Sequence, residues 1–176
     1  MIVFRHADPR FPFLWETAAQ PAARWHADGE GPVHYLAETP DGAWAEFLRQ
    51  EEIRDAEDLA AVSRSLWAID LPRAPAIEPS LPVDVMTGGA ETYGACRQEA
   101  RRLRSRGVRG FVAPSAAVLP GTPSGFRTEG GLRPGPARPE RAFVVFGPRP
   151  DLIGWVACAV GRPSLDLLER VRHLGD

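Results

Sequence analysis

The stretch "YLAETPDGAWAEFLRQ", residues 35–50, carries a carboxylate, Glu46, between Ala45 and Phe47 on what reads as a helix. Taken alone, such a glutamate pairs with Arg49 three residues on or faces solvent. On a helical wheel it flanks the apolar stripe of Trp44, Phe47 and Leu48 rather than joining it. What it could do depends on the rest of the chain. All 21 basic residues are Arg, and the absence of Lys removes the P-loop lysine, the Schiff base to pyridoxal phosphate and the lysine general base. The formal charge of −2 offers no global attraction for duplex nucleic acid, so an anionic ligand must be held by local guanidiniums. His6, His26, His34 and His173 lack metal-ligand spacing, and no metal site is expected. Cys96 and Cys158 form no C-x-x-C pair and read as small buried hydrophobes. No Walker A, G-x-G-x-x-G or H-E-x-x-H run occurs. "GTPSG", residues 121–125, holds its serine one position out of register for a nucleophile elbow.

The elements that must position such groups follow from pattern. At 176 residues, 44% hydrophobic and 25% charged, the chain reads as one globular domain over 1–176. "IVFR" is a short strand ending at an arginine, and "VHYLA" is a strand with Val33, Tyr35 and Ala37 on one face. Thr39 followed by Pro40 starts a helix, a hydroxyl cap and then the ring that needs no N–H. A second helix is expected over roughly 55–66, then a strand in "WAIDLPRAPAI". A helix over Glu91–Arg106 buries Cys96, Ala100 and Leu103. Its arginine-rich run, "RQEARRLRSRGVR", reads as a solvated face or protein contact surface rather than a nucleic-acid helix. "GFVAPS", "RAFVVFG" and "IGWVACAV" are further strands. Residues 119–140 form a Pro/Gly-rich loop, and "SLDLLERVRHL" is a closing amphipathic helix with Leu165, Leu168 and Val171 inward. Strands and helices mix without a βαβ rhythm, so the class is α+β. The start of the chain lacks the apolar run of a signal peptide, and no segment is long and apolar enough for a membrane span. A cytoplasmic location and no membrane partner are expected.

One set of residues gives Glu46 company: Arg5 at the end of the first strand, Arg24 in "ARW", Tyr35 in "HYLAE", Glu46 in "AWAEFLR" and Ser115 in "VAPSA". Eleven positions separate Arg24 from Tyr35, and another eleven Tyr35 from Glu46. In order and spacing this pattern resembles the RES domain, the toxin family named for its Arg, Glu and Ser. The resemblance covers nearly the whole chain and is strongest over 24–49 and 107–115. His6 stands where the family commonly has a tyrosine, and "AARW" replaces a glycine-rich approach to the arginine.

The resemblance implies a mixed or split sheet with flanking helices, related to the ADP-ribosyltransferases of the diphtheria-toxin type. It also implies NAD⁺ as substrate rather than as bound cofactor, cleaved between nicotinamide and ribose by water or phosphate. A cognate antitoxin protein is the implied partner, and a homo-oligomer is a further expectation. In that setting planar guanidiniums such as Arg5 and Arg24 hold pyrophosphate oxygens, and Tyr35 offers nicotinamide a flat face. His6 lies beside them as a further substrate contact. Glu46 stabilises the oxocarbenium character of ribose in the transition state, and Ser115 orients by hydrogen bonding. The alternatives are ADP-ribose transfer to a protein and a non-catalytic binding module.

Overall fold

The computed structural model describes residues 1–122 and 125–175, so Ser124 of "GTPSG" lies outside the described residues. Alternating apolar residues build β1 (Ile2–Ala7), β2 (Val33–Ala37), β3 (Arg64–Asp70), β4 (Gly110–Pro114), β7 (Arg141–Phe146) and β8 (Ile153–Gly161). They form one sheet in the order β4-β7-β2-β1-β3-β8, antiparallel at every registered pair. Among the described residues four α-helices accompany it: α1 (Pro40–Gln50), α2 (Ala56–Ala60), α3 (Val83–Thr87) and α4 (Tyr93–Ser105). The class is α+β, as expected. β1 pairs with β3 along its whole length, yet shares only one registered pair with β2, Phe4 opposite Ala37. Beyond that pair the sheet opens.

The core is arranged around this opening. On one face, α1 packs Trp44, Phe47 and Leu48 with Ala37 and Ala117. On the same face, α3 and α4 pack Met86, Cys96, Ala100 and Leu103 with Trp25, Phe111 and Ala113, and Tyr35 leans on this second cluster. The opposite face buries Val3, Leu36, Ile69, Val112 and Phe143. Ser115 follows Ala113 of one cluster and precedes Ala117 of the other, which places it on the seam between them.

Three expectations change. The helix over 55–66 shortens to α2, capped by Asp55, whose side chain accepts the Asp58 N–H at 2.9 Å. β3 begins at Arg64 instead, because "SLWAI" is apolar on both faces and zips against β1 and β8, overriding a weak helical propensity. The loop 119–140 contains a hairpin, β5 (Phe126–Thr128) with β6 (Leu132–Pro134), made possible by Gly130 and Gly131 at positive φ. The closing helix is a single 3-10 stretch, Leu165–Arg170. The tighter turn buries Leu167 and Val171 and leaves Leu165 57% exposed.

α1 starts where the sequence indicates. Thr39 Oγ1 accepts the Gly42 N–H at 3.0 Å, and Pro40 takes the first turn. A residue distant in sequence completes this start: Glu140 Oε1 accepts the Thr39 N–H at 2.9 Å. It lies so close that a Cβ on residue 42 would collide with its carboxylate, which explains glycine there. Burial raises the Glu140 pKa to about 7 from the ordinary 4.5. Since the folded value lies above the unfolded one, this group's contribution to stability is complete below pH 4.5 and is lost as pH rises through about 7. Glu140→Gln keeps the acceptor and removes the titration. Its Tm, followed by scanning calorimetry across that window, should vary less with pH than the parent's and should exceed it above pH 7.

Candidate active site

α1 turns Glu46 toward the end of β4. There the buried Ser115 hydroxyl donates to Glu46 Oε1 at 3.2 Å and accepts the N–H groups of Ala117 and Val118 at 3.2 and 3.4 Å. The Ala117 N–H also favours the charged form of the carboxylate. Glu46 is half-buried, not solvated, and burial raises its pKa above the ordinary carboxylate value. The positive charges of Arg24 and Arg49, the Ser115 hydroxyl and the Ala117 N–H pull the other way. A carboxylate held by a fixed hydroxyl, with cations nearby, is preorganised to face developing positive charge.

Arg49 differs most from its sequence reading as a partner of Glu46. It is 4% exposed. Its guanidinium donates to the carbonyls of Ala116 (2.7 Å), Arg172 (2.8 Å), Gly88 (2.7 Å) and Thr87 (3.4 Å). These carbonyls belong to three chain segments, one of which follows Ser115 directly. Arg49 therefore fixes the strand end that holds Glu46.

Arg24 meets the same Gly88 carbonyl from the other side. Its Nη2 donates to Gly88 O at 2.7 Å, its Nη1 to Thr92 Oγ1 at 3.2 Å, and its guanidinium lies 4.6 Å from the Tyr93 ring centroid. Gly88 accommodates this convergence because a Cβ there would stand 2.6 Å from Thr92 Cγ2 and 2.9 Å from the Asp84 carbonyl oxygen. Both terminal nitrogens of Arg24 are thus engaged inside the protein. The arginines of α4 have a related task that sequence reading assigned to solvent or a partner surface. Arg97 donates to Ala23 O at 2.9 Å and Arg104 to Glu30 O at 2.6 Å, clamping the segment that delivers Arg24.

Tyr35 is held by its hydroxyl. His26 Nε2 lies 2.9 Å from the Pro21 carbonyl, which can only accept, so Nε2 carries the hydrogen and Nδ1 is an acceptor. The Tyr35 hydroxyl donates to that Nδ1 at 2.9 Å and accepts the Trp25 N–H at 3.1 Å. Burial raises its pKa, so it stays a phenol. With the hydroxyl committed, the ring face is what Tyr35 has to offer a ligand. The charges of both Glu46 and Arg24 act on this tyrosine.

Arg5 sits where β1 and β2 diverge. Its charge acts on Tyr35, on one face of β2, and on His34, on the other. Burial lowers its pKa to about 10, and its Nη1 is buried without a hydrogen-bond partner. A desolvated guanidinium with an unmet N–H is costly unless a ligand oxygen completes it. His6, next along, is kept neutral. Burial and the charges of Arg64 and Arg5 lower its pKa to about 3. Its ring packs on Phe47 at 5.0 Å between centroids, and Nδ1 stands 3.4 Å from Arg64 Nη2.

The structure thus joins Glu46 to Ser115 by direct contact. It ties Arg24 and Tyr35 to that centre by charge, relates Arg5 to it only through Tyr35, and sets His6 beside Phe47, the residue after Glu46. Arg49, Arg64, Tyr93 and Gly88 were not indicated by sequence. The one available signal was the i, i+3 spacing of Arg49 from Glu46. Among the described residues, no group of three or more His, Cys, Asp or Glu could hold a metal and no helix is long and apolar enough to cross a membrane.

No curated protein matches the chain. The family model described as the RES domain does match, over residues 2–125, a span that contains Arg5, His6, Arg24, Tyr35, Glu46 and Ser115. The chain belongs to the RES domain family.

Proposed function

We propose that this RES domain protein consumes NAD⁺, breaking the bond between nicotinamide and ribose. The observation that carries the proposal is the Glu46 carboxylate, half-buried and held by Ser115 among arginines. As the C1′–N bond breaks, its electron pair passes to the pyridinium nitrogen and nicotinamide leaves neutral. Positive charge then grows on the ribose, which a fixed carboxylate stabilises more in the transition state than in the ground state. Water captures C1′ and loses a proton, giving ADP-ribose. Alternatively a phosphate oxygen captures it, giving the 1″-phosphate. Arg5 supplies the unmet N–H for a pyrophosphate oxygen, and Arg24 adds charge while serving as a brace for Gly88 and Thr92. The Tyr35 ring face receives the nicotinamide. A cognate antitoxin that covers this site belongs to the same reading.

The test is to incubate the purified chain with NAD⁺, with and without phosphate, and resolve the products. Nicotinamide release that requires Glu46 supports the proposal, and the phosphate dependence identifies the acceptor. Label from NAD⁺ appearing on a cell protein would move the assignment to ADP-ribose transfer. No turnover and no label from folded protein would leave a binding module. Co-expression with the neighbouring reading frame in a growth assay tests the antitoxin.

Arg5→Gln provides an independent check. It should raise KM for NAD⁺ by about tenfold or more, the loss of one charge-assisted bond. Tm should not fall, since the buried Nη1 has no intramolecular partner to lose. A drop in Tm with KM unchanged would make Arg5 a structural residue.

A further inference from the structure

α4 opens at Tyr93 without a side-chain cap. Thr92, the residue before it, has a hydroxyl of the capping type. That hydroxyl instead donates to the Gly89 carbonyl at 2.8 Å and accepts from Arg24 Nη1 at 3.2 Å. The helix start is thus tied to Arg24, and Tyr93 comes with it. The Arg24 guanidinium lies 4.6 Å from the Tyr93 ring centroid. Arg97, one turn further along α4, lies 5.8 Å from the same ring and donates to Ala23 O at 2.9 Å. Trp25, the next residue of that segment, gives its N–H to the Tyr35 hydroxyl at 3.1 Å. Residues 23–25 therefore fasten both tyrosines.

The two tyrosines are left with opposite capacities. Tyr35 has its hydroxyl committed to His26 and Trp25, and its ring face is available. Tyr93 has its ring engaged by guanidiniums and its hydroxyl free. Among the described residues no group hydrogen-bonds to that hydroxyl. The residue is half-buried, and its oxygen is not one of the unpartnered atoms sealed from solvent, so a ligand can reach it. The phenol also acts electrostatically on Tyr35 and on Arg49, both of which are coupled by charge to Glu46.

We propose that the Tyr93 hydroxyl donates a hydrogen bond to the carboxamide oxygen of a nicotinamide seated on the Tyr35 ring, and so selects NAD⁺ over dinucleotides without that carbonyl. The proposal rests on the NAD⁺ reading and adds a specificity determinant to it. Glu46, Tyr93 and Arg24 act on Tyr35 electrostatically. Of these, Glu46 is held by Ser115 and serves the ribose, and Arg24 has both terminal nitrogens bonded within the protein. Tyr93 is the one with a free hydroxyl. A carboxamide is the single polar substituent of the nicotinamide ring, and its oxygen accepts from a hydroxyl without bringing a further charge into the site. A dinucleotide lacking the carbonyl would leave the Tyr93 donor unmet against the bound ring, which is how a polar group discriminates.

The experiment uses the full chain carrying Glu46→Gln, which slows turnover, and compares it by calorimetry with the same chain carrying Tyr93→Phe as well. Phenylalanine keeps the ring beside Arg24 and Arg97 and removes a hydroxyl with no intramolecular partner, so Tm should not change. The ligands are NAD⁺, its 3-acetylpyridine analogue, which keeps the carbonyl, its pyridine analogue, which lacks the carboxamide, and ADP-ribose, which lacks the ring. Tyr93→Phe should weaken NAD⁺ and the acetylpyridine analogue by about tenfold, the loss of one hydrogen bond. The pyridine analogue and ADP-ribose should bind as before. An equal loss for all four ligands, or a lower Tm, would make Tyr93 a structural support and overturn the proposal. A loss shared by the pyridine analogue would move the contact off the carboxamide and overturn it too. A loss with NAD⁺ alone would overturn the donor assignment, since the hydroxyl would then be accepting from the amide N–H. Unchanged affinities throughout would remove Tyr93 from the site. Any of these with NAD⁺ cleavage intact in the parent chain refutes the role of Tyr93 alone. A parent chain that neither binds nor cleaves NAD⁺ refutes the reaction, and this proposal with it.

Discussion

If the proposed NAD⁺ cleavage holds, Glu46→Gln is expected to lower the rate of nicotinamide release by roughly 10² to 10³ while raising Tm. The first effect is the loss of a preorganised charge opposite the oxocarbenium-like ribose, a class of contribution of about that size. The amide keeps the shape and can still meet the Ser115 hydroxyl, so a fall in kcat with little change in KM is the signature of a group acting in the transition state. The second effect follows from the direction of the pKa. Burial raises the Glu46 pKa above the ordinary value of 4.5. The folded state therefore prefers the protonated acid, and stability is lost as pH rises through the raised value. At neutral pH the parent carries this penalty and the glutamine variant does not. The same direction governs activity: the acid limb of kcat/KM lies above the range of an ordinary carboxylate, and turnover falls as pH is lowered through it. Steady-state kinetics across pH, with calorimetry on both proteins, checks all three. A variant that is destabilised and inactive together would instead make Glu46 a structural residue.

Arg49→Met is expected to harm both stability and turnover. Its guanidinium serves carbonyls at Gly88, Ala116 and Arg172 from a buried position. Leaving such acceptors unmet costs roughly 1–3 kcal/mol each, and two acceptors retain other donors, Gly88 from Arg24 and Ala116 from Arg172. A loss of about 3 kcal/mol is the reasonable total, or a Tm lower by about 6–12 °C for a chain of this length. Stability alone would not show that Arg49 positions the active carboxylate. The pH profile does, because the charge of Arg49 holds down the Glu46 pKa. In Arg49→Met the acid limb of kcat/KM should move to higher pH. In Arg49→Lys, which keeps the charge but not the planar fork, the limb should stay near its parent position while kcat falls. An unchanged limb in the methionine variant would confine Arg49 to a structural role.

Several parts of this protein were legible in its sequence for identifiable reasons. The start of α1 is written mostly locally: Thr39 and Pro40 act within one turn, and only the Glu140 carboxylate that accepts the Thr39 N–H comes from afar. The burial of Trp44, Phe47 and Leu48, or of Cys96, Ala100 and Leu103, follows from helical period alone. The pattern of Arg5, Arg24, Tyr35, Glu46 and Ser115 was readable as a resemblance, and the family match confirms that resemblance.

The misreadings have physical causes too. A wheel gives the angle of Glu46 around α1 but not what approaches at that angle, so a residue braced by Ser115 looked like a surface glutamate. The stretch after Asp55 has ordinary helical propensity, and only pairing with β1 and β8 turns its second half into β3. The closing segment has apolar residues compatible with an α-helix, and its packing on α1 selects a 3-10 turn with Leu165 outside. The arginines of α4 looked solvated because their acceptors, Ala23 O and Glu30 O, lie some seventy residues earlier in the chain.

By itself the sequence determined the start of α1, the buried faces of α1 and α4, the α+β class and the family resemblance that nominates the candidate site residues. Tertiary structure decided their states. Arg49 became an internal brace instead of a partner of Glu46, Tyr35 a ring with a committed hydroxyl, Arg5 a guanidinium with an unmet donor, and His34 a neutral ring on the opposite face from Tyr35. The reason is the same in each case: charge state and free hydrogen-bonding capacity depend on burial and on the partners that arrive. Those partners include backbone carbonyls, which every residue type carries and which no sequence pattern announces.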